Sequence, residues 1–167
     1  MKSKGRFISG LVFLIILTGS VFAQSTASLE EPVSINIQQG LSMSKVAGDL
    51  DFGDYISTGS DGTVTRTPAD GVNFEVLGNP GAITVTFADA ILNDGGANNL
   101  TFVPNVESTA GSDTYLGATS VATGGSVDLV DDAGEGKLYL WVGGDIDVLA
   151  ATPIGAYTGT FTLSVAY

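Results

Sequence analysis

The fold class of this chain is decided by its last eleven residues, YTGTFTLSVAY at positions 157–167. Apolar residues occupy alternate positions, as at Phe161, Leu163 and Val165, and threonine, serine or alanine lies between them. Since successive side chains of a strand point to opposite faces of a sheet, this period of two predicts a β-strand with one buried face.

The same pattern recurs along the chain. Residues 72–76 and 83–87 alternate in the same way, and we predict shorter strands over residues 33–37, 41–46, 50–52, 62–67, 100–106, 126–130, 137–142 and 146–151. Leu138, Leu140 and Val142 would face one side of their strand, with Tyr139 and Trp141 on the other. A strand that is apolar on both faces is expected in the centre of a sheet.

Turn signals separate these strands: Asp61-Gly62, Asn79-Pro80-Gly81, Asp94-Gly95-Gly96, Gly124-Gly125 and Gly143-Gly144. No segment after residue 23 keeps apolar residues at helical spacing over three turns. We therefore expect an all-β fold, an antiparallel β-sandwich or barrel, in a single domain over residues 24–167.

Residues 1–23 have the three parts of a cleavable, helical signal peptide. Lys2, Lys4 and Arg6 precede an apolar run at residues 11–17, and the small-residue site Val21-Phe22-Ala23 follows. The alternative, a membrane anchor, needs about 20 apolar residues, and this run is shorter. We expect cleavage after Ala23 and a protein without a membrane segment, located in the periplasm, at the cell surface or outside the cell.

Export changes the charge balance of the chain. The six basic residues fall to Lys45, Arg66 and Lys137, whereas all 18 acidic residues remain, which gives residues 24–167 a formal charge of −15. Nucleic acid and anionic lipid are improbable partners, because both are bound by clustered lysine and arginine. Cations, cationic surfaces and carbohydrate are compatible partners.

The composition also excludes several chemistries. The chain has no His and no Cys, so it cannot form a Ser-His-Asp triad, a Cys-His dyad, a thiolate zinc site or a disulfide. A glycosidase needs only two carboxyl groups about 5–9.5 Å apart, but no pair here can be assigned the roles of proton donor and nucleophile. We expect no enzymatic activity, and we predict no catalytic or cofactor-binding residue.

Clustered carboxylates are the remaining chemistry. They lie in three loop regions: Asp49, Asp51 and Asp54; Asp131, Asp132 and Glu135; and Asp145 with Asp147. Such oxygen ligands suit calcium, but none of the three has the D-x-[DN]-x-[DN]-G spacing of a calcium loop. We interpret them as solvated turns and predict no metal ligand, with calcium binding as the alternative hypothesis.

A set of short motifs resembles the family of secreted bacterial proteins known as domain of unknown function 4402. The motifs are Leu50-Asp51-Phe52-Gly53, Gly62-Thr63-Val64-Thr65, Pro68, Gly71-Val72, Gly78-Asn79-Pro80, Val142-Gly143-Gly144 and the segment 155–167. That family is in turn similar to spore coat protein U and archaic pilus subunits. The resemblance implies export and an immunoglobulin-like, pilin-like β-sandwich, and it implies no established activity. Pilus subunits of the spore coat type usually carry cysteines, which this chain lacks.

Donation of a strand to a second subunit requires an alternating apolar arm. The arm at residues 24–37 offers Val33, Ile35 and Ile37, preceded by Glu30, Glu31 and Pro32. We expect this arm to pair within its own domain, and donation to another copy is the alternative.

The strand predicted at 157–167 is the best candidate for an interaction edge, because a terminal strand leaves backbone groups unpaired on one side. We interpret Phe161, Leu163 and Val165 as core residues, so Phe161→Ala should cost about 3–5 kcal/mol if Phe161 is buried.

Two functions remain open at this point. The first is an exported, non-enzymatic structural or assembly protein of the cell surface, such as a pilin-like subunit joined to other subunits by strand addition. The second is a monomeric secreted binding module that recognises carbohydrate, a cation or a protein.

Overall fold

A computed structural model describes residues 34–35 and 39–167 of the chain. The predicted signal peptide at 1–23 and most of the predicted strand at 33–37 lie outside the described residues. The strands, numbered in chain order, are β1 Ser42–Ala47, β2 Gly62–Arg66, β3 Val72–Gly78, β4 Gly81–Phe87, β5 Ala90–Asn93, β6 Asn99–Ala110, β7 Thr119–Ser120, β8 Gly125–Asp132, β9 Glu135–Val148 and β10 Leu163–Ala166. In the part of the chain that the structure covers, no helix has the length and apolarity needed to cross a bilayer.

The long strand β9 is the centre of the first layer. β3 and then β2 pair with successive parts of one edge of β9, and β6 pairs with the other edge. β1 extends this layer beyond β3, and β5 and β7 extend it beyond β6. All of these pairings are antiparallel, so the predicted all-β antiparallel fold is confirmed.

The second layer is shorter. β4 is its middle strand, with β8 on one side and β10 on the other. β8 joins the two layers, because its end forms a hairpin with the start of β9 around Ala133 and Gly134. Both turn residues have positive φ, 57° and 95°, as a two-residue hairpin requires.

The main core lies between the two layers. β3, β6 and β9 contribute one side and β4 and β8 the other, in a cluster of Val72, Val76, Ile83, Val85, Val106, Val121, Leu129, Leu138, Leu140 and Val142. A second, smaller cluster of Ala90, Phe102, Ile146 and Val148 lies under the far half of β9. The strands of the second layer, in which β4 pairs with β8 and with β10, do not extend over this second cluster. Loop residues such as Leu50, Phe52 and Phe161 pack against it instead.

The prediction of a turn at Gly143-Gly144 is wrong. The strands predicted at 137–142 and 146–151 are one continuous strand, β9, with both glycines inside it. β2 and β3 run along the same edge of β9 and are interrupted opposite Gly143 by a 3-10 turn at Pro68–Asp70. A Cβ on Gly143 would collide with the backbone of Arg66, Thr67 and Pro68, so close approach of another chain segment, not a turn, requires glycine here.

Other strand predictions need correction as well. Residues 50–52 form no strand, and only Leu163–Ala166 of the segment 157–167 belongs to a ladder. Alternation reports which face of a segment is buried and not whether a neighbouring backbone lies within hydrogen-bonding distance, so it over-extended both. The short strands β5 and β7 were not predicted.

We predict that Gly143→Ala destabilises the protein by about 1–3 kcal/mol, because the backbone of residues 66–68 would have to move. Gly40→Ala is the matched control, since a Cβ at Gly40 meets nothing within 4 Å and its φ is not positive. Urea denaturation of the two variants measures the difference. Equal stability of both variants would contradict the assigned role of Gly143.

Candidate functional site

The C-terminal segment crosses from the first layer to the second. At its start, the backbone N–H groups of Thr158 and Asn93 each donate to the other's carbonyl oxygen, at 3.0 and 2.8 Å. At its end, β10 pairs with β4 from Leu163↔Phe87 to Ala166↔Thr84. Within the described residues, the other edge of β10 has no strand partner.

A second chain segment runs opposite this one. Residues 49–53 follow β1 and are fixed by Arg66, whose guanidinium donates to the backbone oxygen of Asp51 at 2.7 Å and lies 3.3 Å from the carboxylate of Asp49. The Asp51 carboxylate in turn accepts the backbone N–H of Gly53 at 2.9 Å. Arg66 therefore holds the segment in place, although no ladder does so.

Between these two segments lies an open, apolar gap, bounded by residues 50–53 on one side and by residues 157–161 on the other. We call the seam this gap together with the adjoining edge of β10, which pairs with no strand among the described residues. Phe102 forms its floor, with the rings of Phe52 and Phe161 edge-on to it at 5.7 and 5.6 Å. The gap between the two segments has a volume of about 430 Å³.

The side chains along the seam are only half-buried. Phe161, Leu163 and Val165 pack against the main core, as the sequence predicts, but they lie at its margin and remain partly exposed. They are half-buried because no strand of the described residues covers the adjoining edge. At the far end, the Tyr167 hydroxyl closes the seam by accepting the backbone N–H of Asn79 at 2.5 Å and donating to the carbonyl of Gln39 at 3.1 Å.

The seam opens at its other end into a larger apolar recess, which we call the end cavity. Its volume is about 650 Å³, and it is walled by residues 51–57 and 152–157. Its apolar floor is formed by the side chains of Val64, Leu92, Leu100, Ile146 and Val148. Sequence reasoning missed this cavity, since isolated apolar residues in loops give no periodic signal.

The predicted acidic clusters do not converge on one point. Thr65 and Thr63 donate to Asp145 and Asp147 at 2.6 Å each, and Asp132 pairs with Lys137 at 2.9 Å. Glu135 accepts a hydrogen bond from the Gln39 side-chain amide at 2.9 Å, and the remaining acidic side chains of the three groups serve local turns or line the end cavity. In residues 34–35 and 39–167, no three acidic groups are placed to hold a metal ion together.

A polar and aromatic cluster covers the outer face of the first layer, which the sequence did not predict. The loop after β6 folds back so that Tyr115 lies edge-on to Trp141 at 5.5 Å and donates to Glu107 at 2.7 Å. Asp113 on the same loop accepts from Asn73 at 2.6 Å. These contacts hold the loop against the sheet.

The family model described as "Domain of unknown function (DUF4402)" matches residues 41–167. The chain belongs to the DUF4402 family. The matched range includes both sides of the seam and the end cavity. No curated protein matches the chain.

Truncation of Phe102, on the floor of the seam, should destabilise the protein more than truncation of Phe161, at its side. Phe102→Ala removes a side chain from a residue that is 3% exposed and should cost about 3–5 kcal/mol. Phe161→Ala should cost about 2 kcal/mol, because Phe161 is only half-buried. Denaturant unfolding of both variants tests this order, and a larger loss for Phe161→Ala would contradict an open seam.

The polar and aromatic cluster around Tyr115 should make the stability of the protein depend on pH in the alkaline range. The hydrogen bond to Glu107, followed by burial, raises the pKa of Tyr115 to about 12, whereas tyrosine in an unfolded chain titrates near pH 10. The unfolded chain therefore loses this proton first, so the stabilisation is full below about pH 10 and is lost between about pH 10 and 12. Melting temperatures across this window should fall less steeply for Tyr115→Phe than for the unmodified protein, and equal slopes would contradict the assignment.

Proposed function

We propose that this DUF4402 domain is an exported, non-enzymatic structural protein of the cell surface, a pilin-like subunit with an immunoglobulin-like sandwich that receives an extended strand from a neighbouring subunit in its seam. The single observation that supports this most is the seam, whose β10 edge pairs with no strand in residues 34–35 and 39–167. A sandwich that lacks one strand exposes both backbone groups and apolar side chains, and an added strand satisfies both.

The geometry of the seam favours a strand over a compact ligand. Leu163 and Val165 lie at alternate positions of β10, packed against the main core but partly exposed, and this is the spacing that side chains of a strand added beside β10 would match. The neighbouring edge of β10 offers the backbone N–H and C=O groups of a ladder. Main-chain hydrogen bonds would supply affinity, and the apolar row would set the register.

The composition supports a structural role over a catalytic one. The chain contains no His and no Cys, and most of the clustered carboxylates hold hydroxyl groups, backbone N–H groups or basic side chains of their own chain. Asp51 and Asp54 both line the end cavity, and the Asp51 carboxylate is bound there by the backbone N–H of Gly53. Burial and backbone pairing are what this chain offers to a partner.

The donor we propose is the arm of a second copy, in which Val33, Ile35 and Ile37 alternate with Ser34 and Asn36. Three apolar side chains at every second position fit a strand with one face toward the seam. Pro32 cannot donate to a ladder, so the inserted stretch would begin after it. Pairing of the arm within its own chain remains the competing prediction.

Engineered cysteine pairs can distinguish these arrangements, because the chain has no cysteine of its own. Ser34→Cys would be combined in turn with Thr160→Cys, Thr162→Cys and Ser164→Cys, all at exposed positions next to the seam. Each variant would be prepared as residues 24–167 and oxidised mildly. We expect one of the three cysteine pairs to give a series of disulfide-linked dimers, trimers and higher multimers. Ser34→Cys with Ser126→Cys is the control, since Ser126 is exposed on β8, beyond β4 from the seam.

The other outcomes are equally informative. A disulfide within single chains would show that the arm completes its own domain, which would overturn the proposed exchange between subunits. A chain that stays monomeric at high concentration and forms no disulfide in any register would overturn the assembly function and favour a secreted binding module.

A further inference from the structure

The end cavity has an unusual surface for a protein exposed to water. Two isoleucines stand at its rim: the side chain of Ile154 is 100% exposed and that of Ile56 is 83% exposed. Below them lies the apolar floor of the cavity. Large apolar side chains gathered in this way around a recess are typical of an interaction site.

Carboxylates surround this apolar surface. Asp51 and Asp54 line the cavity, and Asp61 accepts the backbone N–H of Ala150 at 2.7 Å, at the base of the loop that forms the opposite wall. Asp94 lies beside Gly155 in that wall, where a Cβ on the glycine would be 3.5 Å from the Asp94 side chain.

The charges at the rim are not neutralised by nearby basic groups. Arg66 is the one basic residue among the described contacts of the rim, and its guanidinium is already 3.3 Å from Asp49. Hydrogen bonds from Asn98 and from the backbone N–H of Gly96 lower the pKa of Asp94, so this carboxylate is ionised at neutral pH. The end cavity is therefore an apolar recess whose rim carries negative charge.

The strand proposed for the seam is too short to occupy this end as well. The segment 157–167 spans roughly 36 Å at about 3.3 Å per residue, whereas the alternating stretch 33–37 of the arm spans roughly 17 Å. An arm paired with β10 would leave the end cavity open. Upstream of that stretch the arm carries Glu30 and Glu31, which the carboxylates of the rim would repel.

We propose that the end cavity binds a cationic, apolar peptide segment of a different protein, with one leucine, isoleucine or phenylalanine in the recess and flanking lysine or arginine residues on the carboxylates. A second copy of this chain is a poor source of such a segment. After residue 23 its basic residues are Lys45, Arg66 and Lys137, and the last two are held by Asp49 and Asp132.

The two parts of this recognition contribute differently. Removal of one leucine side chain from water raises affinity by roughly tenfold to a hundredfold. Each partly exposed charge pair at the rim adds only about two- to fivefold, and these pairs weaken as salt screens them. Charge would mainly select the partner and speed its arrival.

The test uses residues 24–167 and a short fluorescent peptide that alternates lysine with leucine, followed by fluorescence anisotropy. We expect saturable binding that weakens with added salt. Peptides that alternate glutamate with leucine, or lysine with serine, should bind at least tenfold more weakly, because each lacks one half of the match.

Substitutions at exposed positions locate the site without disturbing the fold. Ile154→Ser should weaken binding about tenfold, and Asp54→Asn about two- to fivefold. Asp128→Asn is the control, because Asp128 is an exposed carboxylate on β8 in the second layer, outside the lining of the end cavity. The melting temperatures of all three variants should match that of the parent.

Three results would overturn this proposal. Equal binding of the lysine-serine peptide would mean that charge alone attracts it, and competition by a peptide of residues 30–38 would assign the cavity to a second copy. Absence of binding by the lysine-leucine peptide would remove the site altogether. Disulfide-linked multimers formed through the seam are measured in a separate experiment. Failure to form them would concern the seam, whereas failure to bind the peptide would concern the end cavity.

Discussion

The backbone hydrogen bonds of β9 set the length and the strand order of the first layer. This strand runs from Glu135 to Val148 and pairs with β2, β3, β6 and β8, whereas β4, the middle strand of the second layer, ends at Phe87 after seven residues. A first layer that is longer than the second must leave part of its apolar face without a strand above it. The seam and the end cavity lie over that part of the face, where Phe102, Ile146 and Val148 are covered by loops.

The sequence predicted the central strand for a physical reason that holds in the structure. Leu138, Leu140 and Val142 enter the main core, while Tyr139 is buried on the other face, with its hydroxyl on Glu75. The same reasoning failed at Gly143-Gly144, because glycine is used both where a chain turns and where another backbone approaches closely. Only the position of residues 66–68 against Gly143 decides between the two, and a single sequence does not contain it.

The candidate site was predicted on one side only. Alternation in the segment 157–167 correctly indicated an edge with an apolar face, although the ladder is confined to its last part. The opposite side of the seam, residues 49–53, includes the segment 50–52 that the sequence wrongly predicted as a strand, and it is held by Arg66. Ile56 and Ile154 are far apart in sequence and meet at one rim, so a linear pattern could not have joined them.

An open edge beside an apolar gap is a hazard for any folded protein, because any extended chain can add to it. The formal charge of −15 on residues 24–167 opposes indiscriminate association, since two such molecules repel one another before their edges meet. That repulsion acts on every part of the surface, whereas the attraction of a matching strand acts only over the few ångströms of the seam. Charge therefore slows encounters between copies of this chain, whereas a strand that matched the backbone edge and the apolar row would gain enough to remain bound. The acidity that disfavours nucleic acid as a partner would thus also limit association of copies through an open β10 edge.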